Sequence, residues 1–361
     1  MGFVQTRQLE IPQKPGLRAI LYVQEPIPPT SQRLILPVRV LPTMYDTLNS
    51  ESSRLCTVAS KQAKNLVRKV ATLSLLFPGE RKYSTDFGAG RLLIIRADNV
   101  PEKIAWEFAG AVILQTEQIL GLRVVSQPDY DQRLYHHTYT RYYDALPLQV
   151  VHNPTARGTV LSFAAACKVS GIQFSNSKFG ILGMGNLGSR IGRKLLDQGV
   201  PQIIIYDKDE SRLRSYSRKK GYKVARSRNE LCEIGPNALI LCAHSGSLSR
   251  EFARLLSQQP TIRLVGGPEA GLDHDAGAIE ILDHSGLDFV PSMLCGAMGL
   301  AATLEESLEA PPHLRRLEAR FASFLDRVVK EAIASHTQFH HTFQSLVLSE
   351  SKTKLKKEPA L

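Results

Sequence analysis

Three glycines, Gly183, Gly185 and Gly188, are spaced as GxGxxG within KFGILGMGNLG at 178–188. This pattern suits a backbone that closes on a pyrophosphate. The first glycine allows a tight turn, the second clears the path of the phosphate, and the third lets a helix pack close to the preceding strand. An apolar run at 179–182 leads into the turn, and Leu187, Ile191 and Leu195 follow at helical spacing. Asn186 and Leu187 therefore open a helix whose unpaired N–H groups and positive dipole end face the same point. A second apolar run at 203–206 ends in Asp207, about 20 residues beyond the last glycine, where a carboxylate accepts from ribose hydroxyls. That carboxylate repels a 2′-phosphate, so NAD is the expected cofactor. Lys208 and Arg212 beside it leave NADP as the alternative. His244 follows the apolar run 238–243. This is the carboxyl edge where parallel sheets bind ligands, and His244 joins the candidate cofactor contacts.

Those residues need a sheet to hold them. From residue 155 onward, helical and apolar patterns alternate: helix 155–170, strand 178–182, helix 186–199, strand 202–206, helix 209–220, strand 238–243, helix 248–257, strand 262–265, helix 275–285 and strand 287–290. Strands alternating with helices specify a parallel, doubly wound sheet. The expected fold class is α/β, with a Rossmann domain at 151–305 and a smaller domain at 1–150. In the smaller domain, strands are expected at 17–23, 34–41, 92–96 and 122–126. Helices are expected at 52–76 and from Pro101, with 129–147 irregular. A long helical pattern at 313–346 carries Leu314, Leu317, Phe321, Phe324 and Val328 on one face and is expected to pack back across a domain.

The 361 residues are 43% hydrophobic, enough to bury two cores. No apolar stretch approaches the roughly 18 residues of a membrane span. Nothing at the start reads as a secretory signal, so a cytoplasmic protein without a membrane partner is expected. Met1-Gly2 with Thr6 fits a bare myristoylation pattern, which is short and recurs by accident. The five cysteines lack a CxxC pair and sit among apolar neighbours, which fits a reducing compartment. The net charge of +11 is scattered rather than gathered into a stripe, so nucleic acid is not the expected partner. The lysines near 352–357 read as a solvated tail. His136-His137 reads as a solvated pair. His340 and His341 are neighbours on a helix and are expected to point to different sides. No metal site is expected.

Outward from the glycine turn, the chain resembles the glutamate/leucine/phenylalanine/valine dehydrogenase family. In length it is closest to the smaller bacterial members, leucine and phenylalanine dehydrogenase. LVGGPEAGLDHDAGAIEIL (264–282) and GLDFVPSMLCGAMGLAAT (286–303) are similar to the family's path from a glycine/asparagine turn to an AGG-like turn. PTARG (154–158) is similar to its approach to the nucleotide domain. The resemblance implies a substrate domain at 1–150, completed by the C-terminal helix of 306–361, and a homo-oligomer. It implies oxidative deamination of an L-amino acid to a 2-oxo acid, with the hydride passing to the nicotinamide. It adds Thr155 to the cofactor contacts and keeps Asp129, in SQPDYDQ, as the proton-shuttling aspartate.

Arg91, in Gly88-Ala89-Gly90-Arg91, stands where the family has a lysine after a glycine-rich turn. A guanidinium effectively never loses its proton, so Arg91 can grip a carboxylate but cannot act as a general base. Glu269 and Gly296 stand where the family has asparagines near the nicotinamide. Two functions follow from these residues. One is an NAD-dependent oxidoreductase acting on an L-amino acid, imine or 2-oxo acid. The other is a catalytically silent NAD-binding relative with a regulatory or scaffolding role.

Overall fold

The apolar runs pair edge to edge in two separate sheets, one in each of two units, Met1–Pro147 and Leu148–Leu361. The computed structural model describes residues 5–9, 13–31, 33–43, 52–77, 87–128, 148–243, 246–269, 272, 275–307 and 313–357.

The first unit holds β1 (Gln5–Leu9), β2 (Leu17–Glu25), β3 (Arg33–Thr43), β4 (Phe87–Ala97) and β5 (Arg123–Pro128) in the order β1-β2-β4-β3-β5. β2 runs antiparallel to β1 and β4, whereas β3 runs parallel to β4 and β5. β4 is central and buried along its length except at Arg96. It is longer than the run at 92–96 suggests, because Gly88 and Gly90 lie inside the strand rather than in a turn before it. Small residues there cost strand propensity, but pairing of Gly88 with Leu34 of β3 and of Gly90 with Val23 of β2 overrides that cost. Helix α1 (Ser52–Leu76) covers β4 and β2. Ala59 of α1 packs with Ile20, Leu93 and Ile95, and Tyr22, Leu41 and Cys56 flank them. Helix α2 (Glu102–Leu120) follows Pro101, where a missing N–H costs nothing.

The second unit is the expected doubly wound α/β domain. Helix α3 (Leu148–Val169) precedes β6 (Lys178–Leu182), α4 (Asn186–Asp197), β7 (Gln202–Tyr206), α5 (Glu210–Leu213), β8 (Tyr222–Val224) and α6 (Arg228–Glu233). Then come β9 (Ala238–Leu241), α7 (Arg250–Ser257), β10 (Leu264–Gly266), α8 (Ala276–His284), β11 (Asp288–Val290), α9 (Ser292–Ser307), α10 (Leu314–Ser335) and α11 (Phe339–Lys357). All six strands are parallel, in the order β11-β10-β9-β6-β7-β8. The winding reverses at β6, which pairs with both β7 and β9. Ligands bind at the carboxyl ends of the strands at such a reversal. Layers of helix on both faces leave the central strands dry, and β9 is buried throughout.

Four local differences from the sequence reading have physical causes. The helix expected at 209–220 stops at Leu213, because 214–221 is RSYSRKKG and offers no continuous apolar face. β8 and α6 were not expected. β8 is three residues with no buried member, and α6 is short but capped by Ser227, whose side chain accepts from the Glu230 N–H. The single pattern at 313–346 is two helices, broken at His336 with φ 53°. Finally, His340 and His341 do not point apart. Both approach Asp283 of α8, and their ring centroids are 4.0 Å apart. They occupy the first turn of α11, where side-chain rotation brings neighbouring rings together. The contacts of α10 run to α3, α9 and α11, and α11 packs on β11.

Candidate dinucleotide-binding site

The turn after β6 is shaped by two close approaches. Gly183 has φ 98°, and a Cβ there would lie 2.8 Å from the Cys242 carbonyl carbon and oxygen. A Cβ on Gly188 would overlap the Gly183 carbonyl oxygen. Only glycine satisfies both positions. A Cβ on Gly185 would meet little but Arg212 Nη1, 3.5 Å away, so the space in front of this glycine is open. Gly185 caps α4 with no side-chain hydrogen bond. The next four helices are each capped by a side chain, from Asp209, Ser227, Ser249 and Asp275. The first N–H groups of α4 are thus left to an outside acceptor, as a pyrophosphate site requires. Asn186 is exposed and Leu187 half-buried at this end.

Asp207 is only 6% exposed at the end of β7. Its Oδ2 accepts from the Met184 N–H at 2.7 Å, and its Oδ1 accepts from the Asp209 N–H at 2.9 Å. A carboxylate offers about four acceptor directions, so two remain beyond the Met184 and Asp209 N–H bonds. Arg212 Nη1 lies 3.6 Å from Asp207 Oδ2, and its Nε lies 3.3 Å from Asp209 Oδ2. The Ser211 hydroxyl, and then the Arg212 charge, hold the Asp209 carboxyl below its ordinary value. Lys208 is exposed alongside. Thr155 is buried in α3. α3 begins before the PTARG stretch and contains Pro154, and its Asn153 Oδ1 accepts from Arg190 Nη1 of α4 at 3.1 Å.

A second polar group sits past the ends of β9 and β10. Glu269 is 4% exposed. It accepts from the Ser247 N–H at 2.8 Å and from the Ser247 hydroxyl. Burial pushes its carboxyl above the ordinary value, against the opposing Ser247 bonds and the Arg228 charge. Arg228 in turn donates to the Ser247 carbonyl and lies 3.4 Å over the Phe252 ring. Neither Ser247 nor Arg228 stands out in the sequence. Only the position of Ser247 after a buried strand hinted at it. Gly296 lies in α9 with open space where a Cβ would be.

In the first unit, Arg91 is 6% exposed on β4, opposite Tyr22 of β2. Strand alternation puts it on the face of Leu93 and Ile95, which α1 covers. Tyr22 also lines a cavity of about 520 Å³ with Cys56, Lys61, Lys64 and Arg68. Asp129, His136, His137 and His244 lie outside the described residues.

Residues 178–262 match the family described as NADP oxidoreductase, coenzyme F420-dependent. The matched span includes the glycine turn, Asp207 and Ser247. Comparison with curated proteins by sequence finds no match. Solved structures give full-length likenesses. L-tryptophan dehydrogenase from Nostoc punctiforme superposes with a TM-score of 0.65 at 16% identity, covering 96% of each chain. The hetero-hexameric glutamate dehydrogenase from Thermus thermophilus gives 0.64 at 17% identity, covering 99% of this chain and 91% of that one. Glutamate dehydrogenase from Peptoniphilus asaccharolyticus gives 0.59 at 11% identity, covering 99% and 92%. The fold is that of the amino acid dehydrogenases. Within this dehydrogenase fold, the second unit is an NAD(P)-binding Rossmann domain.

Two outcomes follow from the geometry. Gly188→Ala forces the α4 N-terminus away from β6, so dinucleotide affinity, measured by calorimetry, falls by more than about tenfold, or 1.4 kcal/mol. The second concerns pH. A carboxyl raised by folding holds its proton more tightly folded than unfolded. Its contribution to stability is therefore greatest at low pH and is lost as pH rises from about 4.3 through the folded value. Glu269→Gln stays neutral, so urea denaturation shows the variant gaining on the native chain as pH rises from the unfolded to the folded value of Glu269.

Proposed function

We propose that this chain is an NAD-dependent oxidoreductase that moves a hydride to or from an L-amino acid, an imine or a 2-oxo acid. The observation that carries the reading is the open glycine turn whose Met184 N–H is bonded to the buried carboxylate of Asp207. That arrangement fits a dinucleotide: α4 presents free N–H groups to the pyrophosphate, and Asp207 retains acceptor capacity for the ribose. Asn186, Leu187, Lys208, Thr155 and His244 complete the proposed cofactor contacts. NAD is favoured over NADP because a 2′-phosphate would stand beside the Asp207 carboxylate. Arg212 is already paired with Asp207 and Asp209.

The bound nicotinamide supplies the hydride chemistry, and the chain's residues bind, orient and carry protons. Arg91 grips the substrate carboxylate through a planar fork, an interaction strengthened by its burial. It cannot take a proton from water, so that task falls to carboxyl groups. Asp129 is the proposed partner of the amino group. Glu269, whose carboxyl burial pushes above its ordinary value, is proposed as a second proton-carrying group. A homo-oligomer in the cytoplasm is proposed with this reading. No helix among the described residues is long and apolar enough to cross a membrane.

Arg91 itself favours a second reading, a nucleotide-binding relative that no longer turns over. The two separate in one experiment. Purified protein is given NAD or NADP with a panel of L-amino acids, and the reduced cofactors with 2-oxo acids and ammonia, and absorbance is followed. Turnover is expected with at least one pair, with kcat/KM higher for NAD, and Arg91→Ala lowers kcat/KM by about tenfold or more through the lost carboxylate grip. Cofactor binding without turnover, together with new deaminase activity in Arg91→Lys, would establish the silent relative instead.

A further inference from the structure

His340 is 1% exposed and meets carboxylates on both sides of its ring. Its Nδ1 lies 3.2 Å from Asp288 Oδ1. Asp288 is fixed in turn, accepting from the Phe339 N–H at 3.0 Å, the Phe289 N–H at 2.8 Å and the Ser170 hydroxyl at 3.2 Å. A carboxylate only accepts, so Nδ1 donates to Asp288, and the neutral ring then presents Nε2 as a lone pair. That lone pair faces Asp283 Oδ1 at 2.8 Å, and neither atom makes a hydrogen bond, although both are buried. Two acceptors at this separation need a proton or a metal cation between them, and the hydrogen-bond geometry for a proton is lacking: neither atom is hydrogen-bonded. The second oxygen of Asp283 is 3.6 Å from His341 Nε2.

We propose that Asp283, His340 and His341 bind a divalent zinc ion that clamps the start of α11 to α8. The three ligand atoms lie within 4.8 Å of one another. Tetrahedral zinc with bonds of about 2.0–2.2 Å separates its ligands by about 3.3 Å; His340 Nε2 lies 2.8 Å from one oxygen of Asp283 and His341 Nε2 3.6 Å from the other, so each ring is near that spacing from the carboxylate. Imidazole with carboxylate is a donor set suited to zinc. Asp288 is the outer carboxylate that orients a ligating histidine. The two carboxylates also offset the positive end of the α11 dipole, which would otherwise oppose a cation. His341 is half exposed and Asp283 about a quarter exposed, so the fourth position faces solvent and takes water. The site is independent of the dinucleotide chemistry.

The test uses the full-length chain without a histidine tag. Cobalt(II) is titrated while the visible spectrum is followed, and zinc is then titrated in competition with a chromophoric chelator. The expected result is one equivalent per chain, an intense tetrahedral cobalt spectrum, and a zinc-dependent rise in Tm. Asp288→Asn, which leaves all three ligand atoms in place, weakens zinc by about 10–100-fold. His341→Ala, at a half-exposed position, and Asp283→Asn abolish both the spectrum and the Tm rise, while their metal-free circular dichroism matches the native chain. Absence of the cobalt spectrum, or zinc affinity unchanged in His341→Ala and Asp283→Asn, overturns the proposal.

Discussion

The hydrogen bond from the Met184 N–H to Asp207 holds the nucleotide end of the second unit together. It ties the glycine turn to the end of the neighbouring strand through a carboxylate that is nearly out of solvent. A buried carboxylate left unpaired costs more than the 1–3 kcal/mol of a neutral unsatisfied group. The turn and Asp207 therefore require each other. The Gly183 N–H adds a second tie, donating to the Tyr206 carbonyl at 2.7 Å. Both ties depend on β6 and β7 being adjacent and parallel. The closeness of Gly183 to Cys242 likewise depends on β9 flanking β6 on the other side. Strand order is thus the precondition of the site, and the loops express it.

Electrostatics divide the remaining chemistry between two places. At the glycine turn, Arg212 is spent on two aspartates, Asp207 and Asp209. Past β10, Glu269 is buried against Ser247 and Arg228, and desolvation keeps its carboxyl protonated further up the pH scale. In the first unit, the Arg91 guanidinium lies nearly out of solvent on β4.

The sequence carried much of this because its strongest signals are local. GxGxxG, the apolar run before it and the aspartate after the next strand all lie within 30 residues and specify one another. The Rossmann strands were legible as short apolar runs for the same reason. Weak local signals hid the rest. β8 is three residues of partial burial. α6 announces itself only through Ser227. Gly88 and Gly90 read as a turn, yet pairing with β3 and β2 respectively makes them strand. The His340–Asp283–His341 cluster was missed because residues 283 and 340 meet only through the packing of α11 on β11. No spacing rule brings them together.

The central claim is that the backbone amides following β6 face a dinucleotide. Calorimetric titration of the folded protein with NADH tests it most directly. The account predicts saturable binding of one dinucleotide per chain. A flat titration with a protein whose circular dichroism and cooperative unfolding show it to be folded would contradict it.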